Sequence, residues 1–464
     1  MKADDLRSLL AHIADYAAKR REGDLARTHR PIATYEDVLA AFRLDVDAAP
    51  ASAEQVIREL IEKAEPGLAA MTGPRFHGWV IGGSNPVGVA ADWLTSAWGQ
   101  NAGNYLATPS AAAAEEAAAD ALLELFDLPR ESSVGFVTGA TMANFTCLAA
   151  ARSEVLRRAG WDAEADGLFG APPVTVILGE EAHSTVFSAL KYLGLGDKRV
   201  VRVAVDREGA ILPDAFRAAI ARADGPIIAI AQAGQINSGA FDPFPAIVDA
   251  VKGKNAWVHV DGAFGLWARA TPDRAHLGGG LERCDSWAAD GHKWLQTPYD
   301  CGYAIVRNKA AHERAMRIAA SYLPAAADGA RHPADLAPEL SRRARGFATW
   351  AIIRHLGRKG IAGMISRHCA QARRFAEKLS AEPGVEIMND VVLNQVAVRF
   401  GNDEQTRQTI ARIQSDGVCF IGGAQWRDAW IMRISVIGEA TTESDVDRSV
   451  EAMLSAWRAV RGRN

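Results

Sequence analysis

Between residues 134 and 306 the chain alternates short apolar runs with segments of helical period. The runs are Val134–Val137, Val174–Leu178, Val200–Val205, Ile227–Ala231, Trp257–Val260 and Gly302–Val306, with helical segments such as Thr185–Leu193 and Pro213–Ala223 between them. Strands that alternate with helices build βαβ units, so the pattern predicts an α/β domain with a mainly parallel sheet covered by helices. Gly and Pro fall mostly in the joints, where they interrupt neither kind of element. Just before this region Ser110 opens the run AAAAEEAAADALLELF and is the expected N-cap of a strong helix.

The flanks read differently. Residues 1–75 form helices broken by turns, with too few apolar positions for a core of their own, and are expected to pack on a partner subunit. Residues 76–310 make the large domain. Residues 311–380 are a helical connection interrupted by an Ala/Pro/Asp/Gly stretch, 324–338, expected to be mobile. From 381 to 464 the pattern is that of a small C-terminal α+β domain, with strands at Val396–Phe400 and Ile431–Val436 and helices at Asp403–Ser415 and Thr442–Trp457.

Composition removes several function classes. With a net charge of −4 there is no basic face for nucleic acid. No apolar run reaches the length of a membrane span, and MKADDLRSLL at the start is too acidic and too short for a signal peptide. Cys147, Cys284, Cys301, Cys369 and Cys419 are scattered and lack CxxC pairing, so neither a disulfide framework nor a metal site is expected, and a reducing cytoplasm is the natural compartment.

Four motifs carry candidate chemistry, each at or just beyond the end of a strand. ADGHKWLQTPYDCG sets Lys293 in an apolar, aromatic context. A buried amine that loses its proton attacks aldehydes, but a lysine whose stem packs while its head reaches water fits the same composition. HVDGAF sets Asp261 after Trp257–Val260. A carboxylate there faces the crevice in which parallel sheets bind ligands; a turn or helix-capping Asp is the other reading. TGATMAN, Thr138–Asn144, offers small residues ahead of a helix whose free amides and dipole suit a phosphate, although Gly and Thr are common in such turns. His183, in EEAHSTVF, can stack on a planar ring or simply pack.

In combination these motifs resemble the group II pyridoxal 5'-phosphate (PLP)-dependent amino-acid decarboxylases, which include aromatic-amino-acid, histidine, tyrosine and glutamate decarboxylases. The likeness runs from about Pro74 to the C-terminus and is most specific at His292-Lys293-Trp294. It implies a fold-type I, aspartate-aminotransferase-like enzyme that removes the carboxylate of a small-molecule amino-acid substrate, a carboxy-lyase built as a homodimer with active sites at the interface. Lys293 resembles the Schiff-base lysine and His292 a phosphate contact. Asp261 resembles the partner of the ring nitrogen, which keeps the ring an electron sink. Ala263 then packs under the ring, His183 stacks on it, and Gly139, Ala140 and Thr141 match the phosphate loop. Asn237 and Ser238, in GQINSGAFD, fall where the family places polar groups near the ring oxygen and the substrate. Ser286 and Asp290 match a further pair near the phosphate.

The chain departs from the family pattern in three places. Ala140 and Thr141 stand where a second Gly and a Ser are usual. Ile81 stands where the substrate-carboxylate segment often carries Thr, which leaves Ser84 or Asn85 as substitutes. The loop Tyr that reprotonates the substrate carbon has no counterpart in PAAADGARHPADLAP; His332 within it and Tyr322 just before it are the obvious donors. Loss of that Tyr goes with aldehyde formation in the family. An aldehyde-forming decarboxylase–deaminase, or a lyase acting on another C–C bond, is therefore the alternative. Arg343, in SRRARGF, and Arg433, in WIMRISV, are candidate carboxylate or dimer contacts, with surface charge the other reading of each. Trp79, Trp93, Trp98 and Trp426 hint at an aromatic-lined pocket.

Overall fold

The computed structural model describes residues 3–318 and 331–462. They cluster into two compact units, residues 84–373 with 389–396, and residues 1–83 with 374–388 and 397–464. The N-terminal helices, read above as a segment of their own, share a unit with most of the C-terminal α+β part. Tyr322 and residues 324–330 lie outside the described residues.

The larger unit is built on β1 (Ser133–Val137), β2 (Thr175–Gly179), β3 (Val201–Val203), β4 (Ile227–Gln232), β5 (Ala256–Asp261), β6 (Ser286–Asp290) and β7 (Gly302–Val306), in the order β1-β7-β6-β5-β4-β2-β3. From β3 to β6 every neighbour is parallel. Against the parallel trend, β7 runs antiparallel to both β6 and β1. Only residues 291–301 join β6 to β7, too few for the helical crossover that a parallel return requires. The register sets Val137 and Asp290 on either side of Gly302, so the C-terminal ends of β1 and β6 converge. A Cβ on Gly302 would come within 2.5 Å of the Gly139 Cα, and this convergence therefore needs glycine.

As the outermost strand of this order, β1 is covered along its length. The Leu336 carbonyl presses on Gly135, and Arg331 and Arg342 donate to the Val134 and Phe136 carbonyls at 2.7 and 3.4 Å. Both guanidinium groups pair with Glu115, itself fully buried, Arg342 in bidentate fashion at 2.6 and 2.9 Å and Arg331 at 3.4 Å. Covering an edge in this way removes a template for unwanted strand pairing. Glu115 belongs to the Pro109–Leu125 helix, whose N-cap is Thr108 and not Ser110. Pro109 takes the first helical position, where its fixed φ and missing N–H are favourable.

In the smaller unit β8 (Val385–Ile387), β9 (Gln395–Phe400), β10 (Gly422–Trp426) and β11 (Ala429–Ser435) form a sheet of order β10-β11-β9-β8. The helices Asp403–Asp416 and Glu443–Arg461 each begin with a capping box, from Asn402 and Thr442. Buried Arg75 pairs with Asp445 at 3.0 Å, and Phe76 stacks on Phe420 with centroids 4.7 Å apart. The helices Tyr35–Phe42 and Ala53–Ala64 bury no residue, and Ile32, Leu44 and Val46 are 85–90% exposed.

Candidate active site

The turn that leaves β6 is closed by its own backbone. The amides of Gly291 and His292 both donate to the Cys301 carbonyl, and that of Thr297 donates to Gly291. Trp294 and Leu295 are fully buried, with the Trp294 indole N–H donating to His368 Nδ1 at 3.0 Å. These apolar anchors hold the turn while the neighbouring Lys293 side chain stays partly open and reaches Asp290, Nζ to Oδ2 2.9 Å. The other Asp290 oxygen accepts the first amide of the Ala140–Arg158 helix, from Ala140, at 2.6 Å and lies 3.4 Å from His292 Nε2. His292 Nδ1 accepts the Cys301 amide, so the ring proton belongs on Nε2, toward Asp290. Burial pushes the His292 pKa down, and its ring stacks on Tyr299, whose hydroxyl is pushed up to about 12 by burial and by Asp290.

Asp261 ends β5, one strand away. It is buried, its Oδ1 accepts the Ala263 amide at 3.2 Å, and the Ala263 carbonyl accepts the amide of Asp290. Ala263 thus ties the two carboxylate-bearing strand ends together. Between β1 and its helix, Gly139 and Ala140 face His292 and Asp290, and the amides of Thr141 and Met142 find no acceptor among the described residues. His183 caps the Ser184–Tyr192 helix. Its Nδ1 accepts the Thr185 amide and meets the Thr185 hydroxyl at 2.8 Å, which fixes the ring orientation. The loop before it is tied to the turn after β4 by Glu181 and Gln235, 3.0 Å apart.

The other sequence candidates divide. The Asn237 amide is held by Gln235 Oε1, while the Ser238 hydroxyl is committed to the Glu208 carbonyl. Asn85 caps the Pro86–Trp98 helix, and its amide donates to Gln296 at 2.7 Å, which brings Ser84-Asn85 against the Lys293 turn. Ser286 is not brought to this group. It stands at the opposite end of β6, buried between the Trp257 indole and His259, whose far nitrogen meets Asn144. Arg343 is committed to Asp92 at 2.7 Å and to Ser96. His332 is buried edge-on against Tyr105, its Nδ1 without a hydrogen-bond partner among the described residues. Arg433 and Trp426 lie on strands of the smaller unit and Trp79 packs there on Phe420, whereas Trp93 and Trp98 share a helix of the larger unit. The Asp290–Lys293 pair and the Tyr299–His292 stack were missed as contacts. Tyr299 does lie within the Lys293 motif, but no spacing rule marks it. Among the described residues no cluster of His, Cys, Asp or Glu has the makings of a metal site, and no helix is long and apolar enough to cross a membrane.

An amine, a buried carboxylate one strand away, and a helix N-terminus with unengaged amides form a donor set that fits a phosphorylated aldehyde with a basic ring nitrogen. The profile of the pyridoxal-dependent decarboxylase conserved domain matches residues 36–401. The chain is 25% identical over 430 residues to 4-hydroxyphenylacetaldehyde synthase of Rhodiola rosea, covering 88% of this chain and 85% of that protein. It is also 25% identical to tryptophan decarboxylase 1 of Oryza sativa subsp. japonica, covering 99% and 94%. A crystal structure of Oryza sativa TDC with PLP and tryptamine superposes with a TM-score of 0.92 at 23% identity, covering 99% of each chain.

Proposed function

The chain belongs to the pyridoxal-dependent decarboxylase family, and from that premise we propose that it removes the α-carboxylate of an amino acid as CO2, with PLP carried on Lys293. The observation that carries this reading is the convergence of Lys293, Asp290 and the Ala140 amide beside Asp261. When bound, PLP supplies an aldehyde for the amine and a ring that takes up the electron pair left by the departing carboxylate. Lys293 would hold the aldehyde carbon, and the Thr141 and Met142 amides with the Thr141 hydroxyl would hold the phosphate. Asp261 would keep a proton on the ring nitrogen, and His183, fixed by Thr185, would cover one ring face. Ser84-Asn85, against the Lys293 turn, is the proposed substrate edge.

The exposed Ile32, Leu44 and Val46 support a twofold homodimer in which residues 1–75 cover the partner. Five free, buried cysteines accord with a reducing, cytoplasmic setting.

A second reading, aldehyde formation, is favoured by His332. It is buried on Tyr105 and makes no contact with Lys293, so the donor expected in its segment is not in place among the described residues. In that reaction dioxygen is reduced to hydrogen peroxide as CO2, ammonia and the aldehyde leave. Incubating the enzyme with a panel of amino acids while measuring CO2, amine, aldehyde and peroxide decides the matter. CO2 with an equal amount of amine is expected; CO2 with equal aldehyde and peroxide would establish the second reading, and no CO2 from any amino acid would refute both.

A further inference from the structure

We propose that Asp290 is the internal counter-anion of the unloaded pocket, holding the groups that a phosphorylated cofactor needs and yielding them on loading. This rests on the reading that Lys293 carries the cofactor. One carboxylate engages the Lys293 ammonium at 2.9 Å and the first amide of the Ala140–Arg158 helix at 2.6 Å, and lies 3.4 Å from His292 Nε2. Its side chain is 3% exposed, so water does little to screen it. The helix terminus that would draw in a phosphate therefore already faces an anion.

Among the described residues, the charged and titratable groups around Asp290 leave it no other strong partner. Lys293 and His292 are on its own turn, Tyr299 stacks on His292, and Asp300 is paired with Arg345 at 2.8 Å. On β7, Tyr303 is buried, with its hydroxyl on Thr349. Burial keeps His292 and Tyr299 uncharged at neutral pH, which leaves Lys293 as the cation in ion-pair contact. A phosphate entering beside the carboxylate meets like charge in a buried site, a repulsion that an unphosphorylated aldehyde does not feel. Joining the lysine nitrogen to the aldehyde carbon would release the aldehyde oxygen as water and the ammonium's surplus proton to solvent.

Asp290→Asn keeps an oxygen for the Ala140 amide and removes the charge. Unloaded wild type and variant are mixed with PLP or with pyridoxal at neutral pH, and the growth of the yellow absorbance band gives a rate constant for each. The ratio of the PLP to the pyridoxal rate constant is expected to rise about tenfold in the variant, because only PLP brings the second anion. An unchanged or lower ratio overturns the proposal. Asp290→Ser repeats the test if circular dichroism finds the Asn variant unfolded. Lys293→Ala separates the two claims: if it forms the same band at the wild-type rate, the reading of Lys293 fails, whatever Asp290 does.

Discussion

Two regions of the larger unit carry the residues first read as chemical, and they use them in opposite ways. At the ends of β1, β5 and β6 the polar groups turn toward one another: Lys293, Asp290 and the Ala140 amide meet within 3 Å, with Asp261 joined to them through Ala263. In residues 331–343 the polar groups turn into the fold. Arg331 and Arg342 close the β1 edge over Glu115, Arg343 holds Asp92, and His332 packs on Tyr105. The difference is topological. Strand ends leave a sheet with nothing beyond them, so their side chains line a crevice. A segment laid along a sheet edge must satisfy that edge instead, and its donors are used in doing so.

The comparison is easiest to break at Asp261. Asp261→Asn keeps the volume and removes the charge, and carbanion-forming turnover should fall by several orders of magnitude, about 4 kcal/mol or more. Steady-state rates with the variant fully loaded measure this, and near-normal turnover would mean that the carboxylate faces something other than the cofactor.

Glu115→Ala tests the other region. It takes from two buried guanidinium groups the carboxylate that both pair with, a loss of about 3–5 kcal/mol of stability. The thermal midpoint should drop while the variant, assayed below that midpoint, still loads PLP. Loss of loading with an unchanged midpoint would reverse the roles assigned to the two regions.

Acid should weaken both regions together. His259, on β5, and His312, hydrogen-bonded to Ser133 beside the covering segment, are fully buried, and burial pushes each down to about 3. Folded, they stay neutral; unfolded, they take up protons below about 6.5. Their contribution is therefore present above pH 6.5 and is lost as pH falls toward 3, by about 1.4 kcal/mol per pH unit for each histidine. Denaturant midpoints between pH 7 and pH 5 measure the slope, and a flat profile would place these rings in contact with solvent.

The smallest effect is expected at His332. With the ring packed on Tyr105, His332→Gln should change the single-turnover rate by less than about threefold and leave the amine-to-aldehyde ratio alone, a shift of about 0.6 kcal/mol or less. A change in that ratio would mean that the segment leaves the β1 edge during turnover, and the contrast between the two regions would then hold only at rest.

Much of the architecture was legible in the order of apolar runs. Ile227–Ala231 and Trp257–Val260 became β4 and β5, and Asp403–Ser415 became a helix one residue longer. Strands with weak apolar signal were missed: β6 lies in DSWAAD, and β10 opens on two glycines and alternates half-buried and exposed residues up to buried Trp426. The antiparallel turn of β7 was hidden as well, because direction depends on the length of a connection and not on the composition of a strand.

By itself the sequence determined which residues stand at strand ends. Buried runs, turn residues and the motifs after them are local, and a strand end is a local event; Asp261, His183 and the Gly139-Ala140-Thr141 loop could be found there, and Lys293 by its own motif. Only the tertiary structure decided their partners. Asp290 pairs with Lys293 and, across 150 positions, with Ala140, while Glu115 gathers Arg331 and Arg342 from 216 and 227 positions away. No periodicity spans such distances. Those contacts follow from how the sheet closes and from the requirement that every buried charge find its opposite.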